Sequence, residues 1–317
     1  MRHRLALFAA ALCWGTATGI TKYALGGFAP MTLLLFELVV GTALIWIVLA
    51  LRGRIGFPGR PGLLAVMGLF EPALAYAGLT VGLTRTTAGN ASLLSSLEAV
   101  FVVVLAVVVL RDRIGVRSVL GVVLAAVGVT VIEGAHPVAA VGLGDLLIMG
   151  GALSAAIYVT LAGRMAGSID PTLMTAWQFL FGLIFTIPVA AWQWGTGAES
   201  VSTSIPARFW VAGALAGVLG FAASFLLYNY AITGVPASFA GFTLNLIPVF
   251  GLLTAIVWLG EPLHAGQALG GVLILAGLVL FSAHTDAPAE ASTDAPTEVR
   301  TEVVSAGDEA EAARVSD

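Results

Sequence analysis

Three acids sit where an acid is least expected. Glu37, Glu71 and Glu98 each fall inside a long apolar run. A charge at the centre of a bilayer costs from roughly 2.5 to over 10 kcal/mol, depending on how it is measured. A carboxyl group placed there carries a proton, meets the amine of a solute, or is hydrogen-bonded between helices. Glu71 is the foremost candidate for the first two roles, with helix packing as the open alternative. Pro72 directly after it loosens the helix. Glu37 reads as a hydrogen-bonding group on a cavity wall, and Gln178 as its counterpart. Glu98 falls off the small-residue stripe Gly89, Ser92, Ser96 and Ala99, so its periodicity argues against a pore position. Asn245 shares a stripe with Ser238, Gly241 and Pro248 and serves either packing or a site. Pro248 removes an N–H and frees the carbonyl of Leu244. Trp14, Tyr158, Trp177, Tyr228 and Tyr230 offer a stacking wall, or serve as packing and interface anchors.

Other chemistries lack their residues. Four scattered histidines and one cysteine give no metal-ligand spacing. No glycine-rich phosphate loop of the Walker type is present, so ATP drive is not expected. An intramembrane enzyme needs paired Asp, Ser/His or His/Asp groups at depth. Here every Asp lies at a helix end or in the tail, and His3, His136, His264 and His284 are terminal or loop residues. The reading is therefore no enzyme, no cofactor, no metal and no nucleic-acid partner.

The elements that carry these residues are membrane helices. Hydrophobic residues make up 59% of the chain and charged residues 10%, where soluble domains carry about a quarter charged. Apolar stretches of about 20 residues, the length a bilayer requires, follow one another with short connections. Helices are expected near 4–24, 30–51, 62–83, 86–110, 116–134, 142–163, 171–194, 208–231, 235–259 and 264–284. Pro30, Pro171 and Pro236 fall in first turns, where a missing N–H costs little. The first stretch begins like a signal peptide. Its apolar run continues to Tyr23 with no small-residue cleavage site, so it reads as a retained helix.

Nine arginines fall on one side of this layout: Arg2, Arg4, Arg52, Arg54, Arg60, Arg111, Arg113, Arg117 and Arg164. Only Lys22, Arg85 and Arg208 fall on the other. That split places both termini in the cytoplasm and the protein in the cell (inner or plasma) membrane. From Asp286 onward nine carboxylates face only Arg300 and Arg314, with Ala, Pro, Ser and Thr between them. Such a segment, 285–317, reads as a disordered acidic cytoplasmic tail.

The chain also repeats itself. Leu97-Glu98-Ala99-Val100-Phe101 lies over Leu246-Ile247-Pro248-Val249-Phe250, 149 positions on. At the same offset Gly68 meets Gly217, Ala88 meets Ala237, Asp112 meets Glu261, Gly121 meets Gly270 and Gly128 meets Gly277. At an offset of 141, Pro30 meets Pro171, Glu37 meets Gln178 and Gly41 meets Gly182. The copies are 4–134 and 142–284. Each holds five helices, and an odd number turns the second copy over in the membrane. The fold class is therefore an all-α membrane protein, ten transmembrane helices as two inverted five-helix repeats, with a substrate site near the midplane where the halves meet. The repeat puts Glu71 on the helix face that corresponds to Gly213, Gly217, Gly220, Ser224 and Tyr228. The segments with Gly121/Gly128 and Gly270/Gly277 read as peripheral scaffold. Asp112 with its flanking arginines, and Glu261 with His264, read as turn pairs.

Asn245-Leu246-Ile247-Pro248-Val249-Phe250, then Trp258-Leu259-Gly260-Glu261-Pro262-Leu263, then Gly270-Gly271 and Gly277, resemble the second repeat of the EamA-type transporters of the drug/metabolite superfamily. Leu97-Glu98-Ala99-Val100-Phe101 with Arg111-Asp112-Arg113-Ile114 resembles the first repeat, and Leu12-Cys13-Trp14-Gly15 resembles its start. The chain departs from the pattern at Ala99, commonly Pro, and at Asp112, commonly Glu. The resemblance implies a ten-helix secondary carrier, often an exporter of amino acids, other metabolites or toxic compounds. The expected partners are a small organic solute, the lipid bilayer and protons as coupling ion, with a homo-oligomer compatible. A passive channel or a membrane scaffold is the alternative. Acids without buried Lys or Arg favour amines, zwitterions or neutral solutes over anions.

Overall fold

The computed structural model describes residues 1–110, 116–132, 142–163, 169–200, 204–235 and 243–282, and among them every regular element is a helix. Six are long and apolar enough to cross a membrane: α1 (Arg2–Ala24), α2 (Pro30–Leu51), α3 (Pro61–Leu83), α7 (Leu143–Gly163), α8 (Pro171–Gly195) and α9 (Ala207–Ala231). The remaining helices are shorter: α4 (Ala88–Ser95), α5 (Leu97–Leu110), α6 (Val116–Ile132), α10 (Ile247–Val257) and α11 (Ala265–Ser282). Asp112, Arg164, Pro236, Ser238, Gly241 and the acidic tail lie outside the described residues.

The helix starts follow local rules, completed at two places from far away. Pro171 opens α8 behind Asp170, whose carboxylate accepts from the amides of Thr172 and Leu173, both at 3.0 Å. Pro30 opens α2, but its N-cap Ala29 has no acceptor. Glu199, after α8, fills the gap and accepts from the amides of Met31 at 2.8 Å and Thr32 at 3.0 Å. At α4, Thr87 caps the amide of Asn90. Glu261 reaches across to the amides of Ala88 and Gly89, each at 2.9 Å. The expected Glu261–His264 turn pair is therefore replaced by a helix cap. Two free amides at a helix start attract a carboxylate more strongly than an exposed imidazole does.

Two spans are broken in corresponding places. In α3 the turn Leu69–Leu74 is π-helical, and Glu71 itself is extended at φ −144° and ψ 120°. Pro72 lacks the N–H that would continue the ladder. In α9 the turn Gly217–Ala223 is also π-helical, although it contains no proline. The helix crossings recur in the same way. A side chain at Gly68 would strike the carbonyl of Gln178, and one at Gly217 the carbonyl of Glu37. At the periphery α6 packs against α11, where Gly128 and Gly270 each face the other's carbonyl. Backbones approach this closely only where no Cβ intervenes.

A carboxylate-lined cavity as candidate functional site

The broken spans surround a cavity of about 530 Å³. Glu37, Glu71 and Glu98 line it, together with Trp14, Tyr158 and Tyr228. Six of the eight site residues expected from the sequence therefore share one chamber. The other two do not reach it. Gln178 is fully buried beside the cavity. Asn245 is not among the lining residues, although its neighbours Leu244 and Ile247 are. Among the described residues the lining includes no Lys, Arg or His. No described residue of α6 or α11 contributes to it.

Each acid is held differently. Glu37, 1% exposed, accepts a hydrogen bond from the Thr21 hydroxyl at 2.8 Å. Glu71 lies on the extended link of α3, so its own backbone carbonyl leaves the helical ladder. The side-chain amide of Gln178 donates to that carbonyl at 2.8 Å. One residue earlier, the Phe70 carbonyl accepts from the Ser154 hydroxyl, also at 2.8 Å. Both bonds satisfy the requirement that no backbone group stay unpaired in hydrocarbon. Glu98 faces the cavity, against the expectation drawn from the stripe Gly89, Ser92, Ser96, Ala99. That stripe assumed one continuous helix, but the helix ends at Ser95 and restarts at Leu97, which changes the phase. The stripe itself is a packing face. Ser92 abuts Gly251, and Gly89 abuts Leu252.

Several lining residues were missed by the sequence reading. Tyr76 follows the break in α3, lies tilted against the Phe221 ring at 4.3 Å and points its hydroxyl at the Gly220 carbonyl at 3.4 Å. Asn229 follows the break in α9 and donates to the Thr175 hydroxyl of α8 at 3.3 Å. Their only signal was position after an interrupted helix. The Trp14 ring lies 5.0 Å from Phe225 and 5.8 Å from Tyr228, so these three rings form an aromatic wall of the chamber. Tyr230, by contrast, stacks on His3 away from the lining, and Trp177 donates to the Gly56 carbonyl.

The two ends of the cavity differ. At one end the lining runs out to Ala162, Ile169, Pro171 and Ile232, at or beyond the helix termini. At the other it stops at Thr21, Thr80 and Ile148. Beyond these lies a polar knot around the turn between α3 and α4. The Lys22 ammonium donates to the carbonyls of Leu83 at 2.5 Å and Thr86 at 2.7 Å. The Thr86 hydroxyl donates to Asp145, and Gln267 donates to Asn90 at 2.7 Å. A cation on the last carbonyls of α3 also opposes that helix's dipole.

Known proteins resemble this chain in sequence and fold. An uncharacterized transporter of Archaeoglobus fulgidus is 27% identical over 84% of this chain and 94% of its own length. The uncharacterized transporter YyaM of Bacillus subtilis is 26% identical over 84% and 89%. A probable terminal-alkyne amino-acid exporter of Streptantibioticus cattleyicolor is 25% identical over 88% and 93%. A crystal structure of a protein 18% identical superposes with a TM-score of 0.65 over 90% of this chain and 99% of that one, a likeness of fold. The EamA-like transporter family model matches twice, over residues 2–134 and 142–283, and the chain belongs to that family.

Proposed function

We propose that the protein is a secondary active carrier that exports a small organic solute by alternating access. In this reading its ten transmembrane segments form two inverted repeats, 4–134 and 142–284, with both termini in the cytoplasm of a cell-membrane protein and 285–317 as a solvated tail. The observation that carries it is the cavity, which extends to the helix termini at one end and stops short of a polar knot at the other. A passive channel needs a path to both ends. A carrier needs one end shut at a time. With both termini cytoplasmic, the end at Ala162 and Pro171 faces the cytoplasm.

Three acids and an aromatic wall, with no Lys, Arg or His among the described lining residues, suit an amine or a zwitterion such as an amino acid. The amino-acid exporter among the relatives supports that class. Glu71, beside the break in α3, is the proposed proton carrier. A comparison of metabolites in the medium of cells with and without the protein tests the reading. Accumulation of an amine or amino acid outside expressing cells is expected. Identical media across growth conditions would count against export.

A further inference from the structure

The connection 52–60 between α2 and α3 reads Arg-Gly-Arg-Ile-Gly-Phe-Pro-Gly-Arg, and the proposed transport does not use it. Gly53 ends α2 in the left-handed region at φ 62°, which lets the amide of Arg54 return to the carbonyl of Leu49 at 3.0 Å. The chain then folds back along the bundle. The Gly56 carbonyl accepts from the Trp177 indole at 2.8 Å, and the Phe57 ring meets Trp177 edge-on at 5.0 Å. Trp177 in turn meets Trp46 at 5.4 Å. Trp46 stands five residues before the end of α2 and Trp177 six residues after the start of α8. At 1.5 Å per residue both lie roughly 8 Å inside the helix ends. Phe57 shares their depth, yet it is 60% exposed, and Ile55 is 61% exposed. Neither lines the cavity. A large apolar side chain at that depth, outside both core and cavity, faces lipid.

Around this apolar pair stand Arg52, Arg54 and Arg60, all exposed, and the sequence holds no acid between Glu37 and Glu71. Arg54 meets Asp170 at 3.4 Å, but their side chains are 65% and 39% exposed, and a pair so wet holds little. Asp170 is also committed to the amides of Thr172 and Leu173. We infer that the 52–60 loop binds anionic phospholipid: Ile55 and Phe57 enter the acyl region while Arg52, Arg54 and Arg60 hold the headgroup phosphates of that leaflet. The guanidinium fork suits a phosphate. An acidic protein would meet the arginines but not an apolar pair at bilayer depth. The inference needs the chain in a membrane and does not need the carrier reading. In that reading, the same headgroups lie beside the first turn of α8, where Pro171 and Thr175 line the open end of the cavity. Their charge draws cationic solutes to that mouth.

The test is native mass spectrometry of the full-length protein, released from micelles that hold equal amounts of phosphatidylglycerol and phosphatidylcholine. It counts the lipids of each kind that stay bound and does not depend on transport. The wild type is expected to retain phosphatidylglycerol in preference. Arg52→Gln with Arg60→Gln is expected to lower that preference by about fivefold for each arginine removed. Both side chains are exposed, so the fold is not at stake. Arg85→Gln with Arg208→Gln removes the same charge from the opposite ends of the spans and is expected to leave the preference unchanged. Ile55→Ser with Phe57→Ser is expected to reduce retention of both lipids. Equal retention of the two lipids by the wild type, or an unchanged preference in the Arg52/Arg60 variant, overturns the inference. So does an equal fall in the Arg85/Arg208 variant, or undiminished retention in the Ile55/Phe57 variant.

Discussion

Gln178 donates its side-chain amide to the backbone carbonyl of Glu71 at 2.8 Å, across two helices and 107 residues of sequence. The bond joins a cavity-lining acid to a residue that is not among the lining. The extended backbone at Glu71 turns its carbonyl out of the helical ladder of α3, and the neighbouring helix supplies the donor.

Gln178→Leu removes that donor and leaves the Glu71 carbonyl buried and unpaired. A destabilisation of about 1–3 kcal/mol is expected, read as a lower melting temperature in detergent. Wild-type stability would mean that Ser154 on the Phe70 carbonyl holds the break alone.

Glu71→Gln keeps the shape and hydrogen bonding of the side chain but cannot ionise. In liposomes it is expected to abolish proton-driven accumulation while expression stays near normal and counterflow exchange persists. Transport with the wild-type pH dependence would make Glu71 a packing residue.

Lys22→Met removes two charge-assisted bonds from the turn between α3 and α4. Each is worth roughly 1.5–3 kcal/mol. A cysteine placed at Thr80, in a Cys13→Ser background, lies just inside the knot. Its labelling by an impermeant maleimide from outside the cell is expected to rise on the order of tenfold in Lys22→Met, the change that about 1.4 kcal/mol produces. Equal labelling in both backgrounds would show that the knot does not close that end.

Reporter fusions after His284 are expected to be active on the cytoplasmic side, as the distribution of arginines requires. Activity confined to the periplasm would reverse the orientation and, with it, the side to which the cavity extends.

Much of the architecture was legible because its causes are local. Apolar length marks the spans, and Pro30 and Pro171 mark two of their starts. The offsets that pair Glu37 with Gln178 and Gly68 with Gly217 anticipated crossings that occur twice. The misses share a different cause. Periodicity carries a helix face forward only while the helix continues. The interruption at Ser96 turned Glu98 towards the cavity, and those in α3 and α9 precede Tyr76 and Asn229. Glu199 and Glu261 were unreadable as caps because the amides they hold lie 168 and 173 residues away.

Those two caps set an order on biogenesis. Ribosomes make the chain from its N-terminus, so α2 and α4 enter the membrane with their first amides exposed. Glu199 completes the start of α2 and Glu261 that of α4. The leading half therefore waits for the trailing half. Synthesis that stops before residue 199 leaves both helix starts unfinished, and quality control meets a half-made transporter with backbone amides still unpaired.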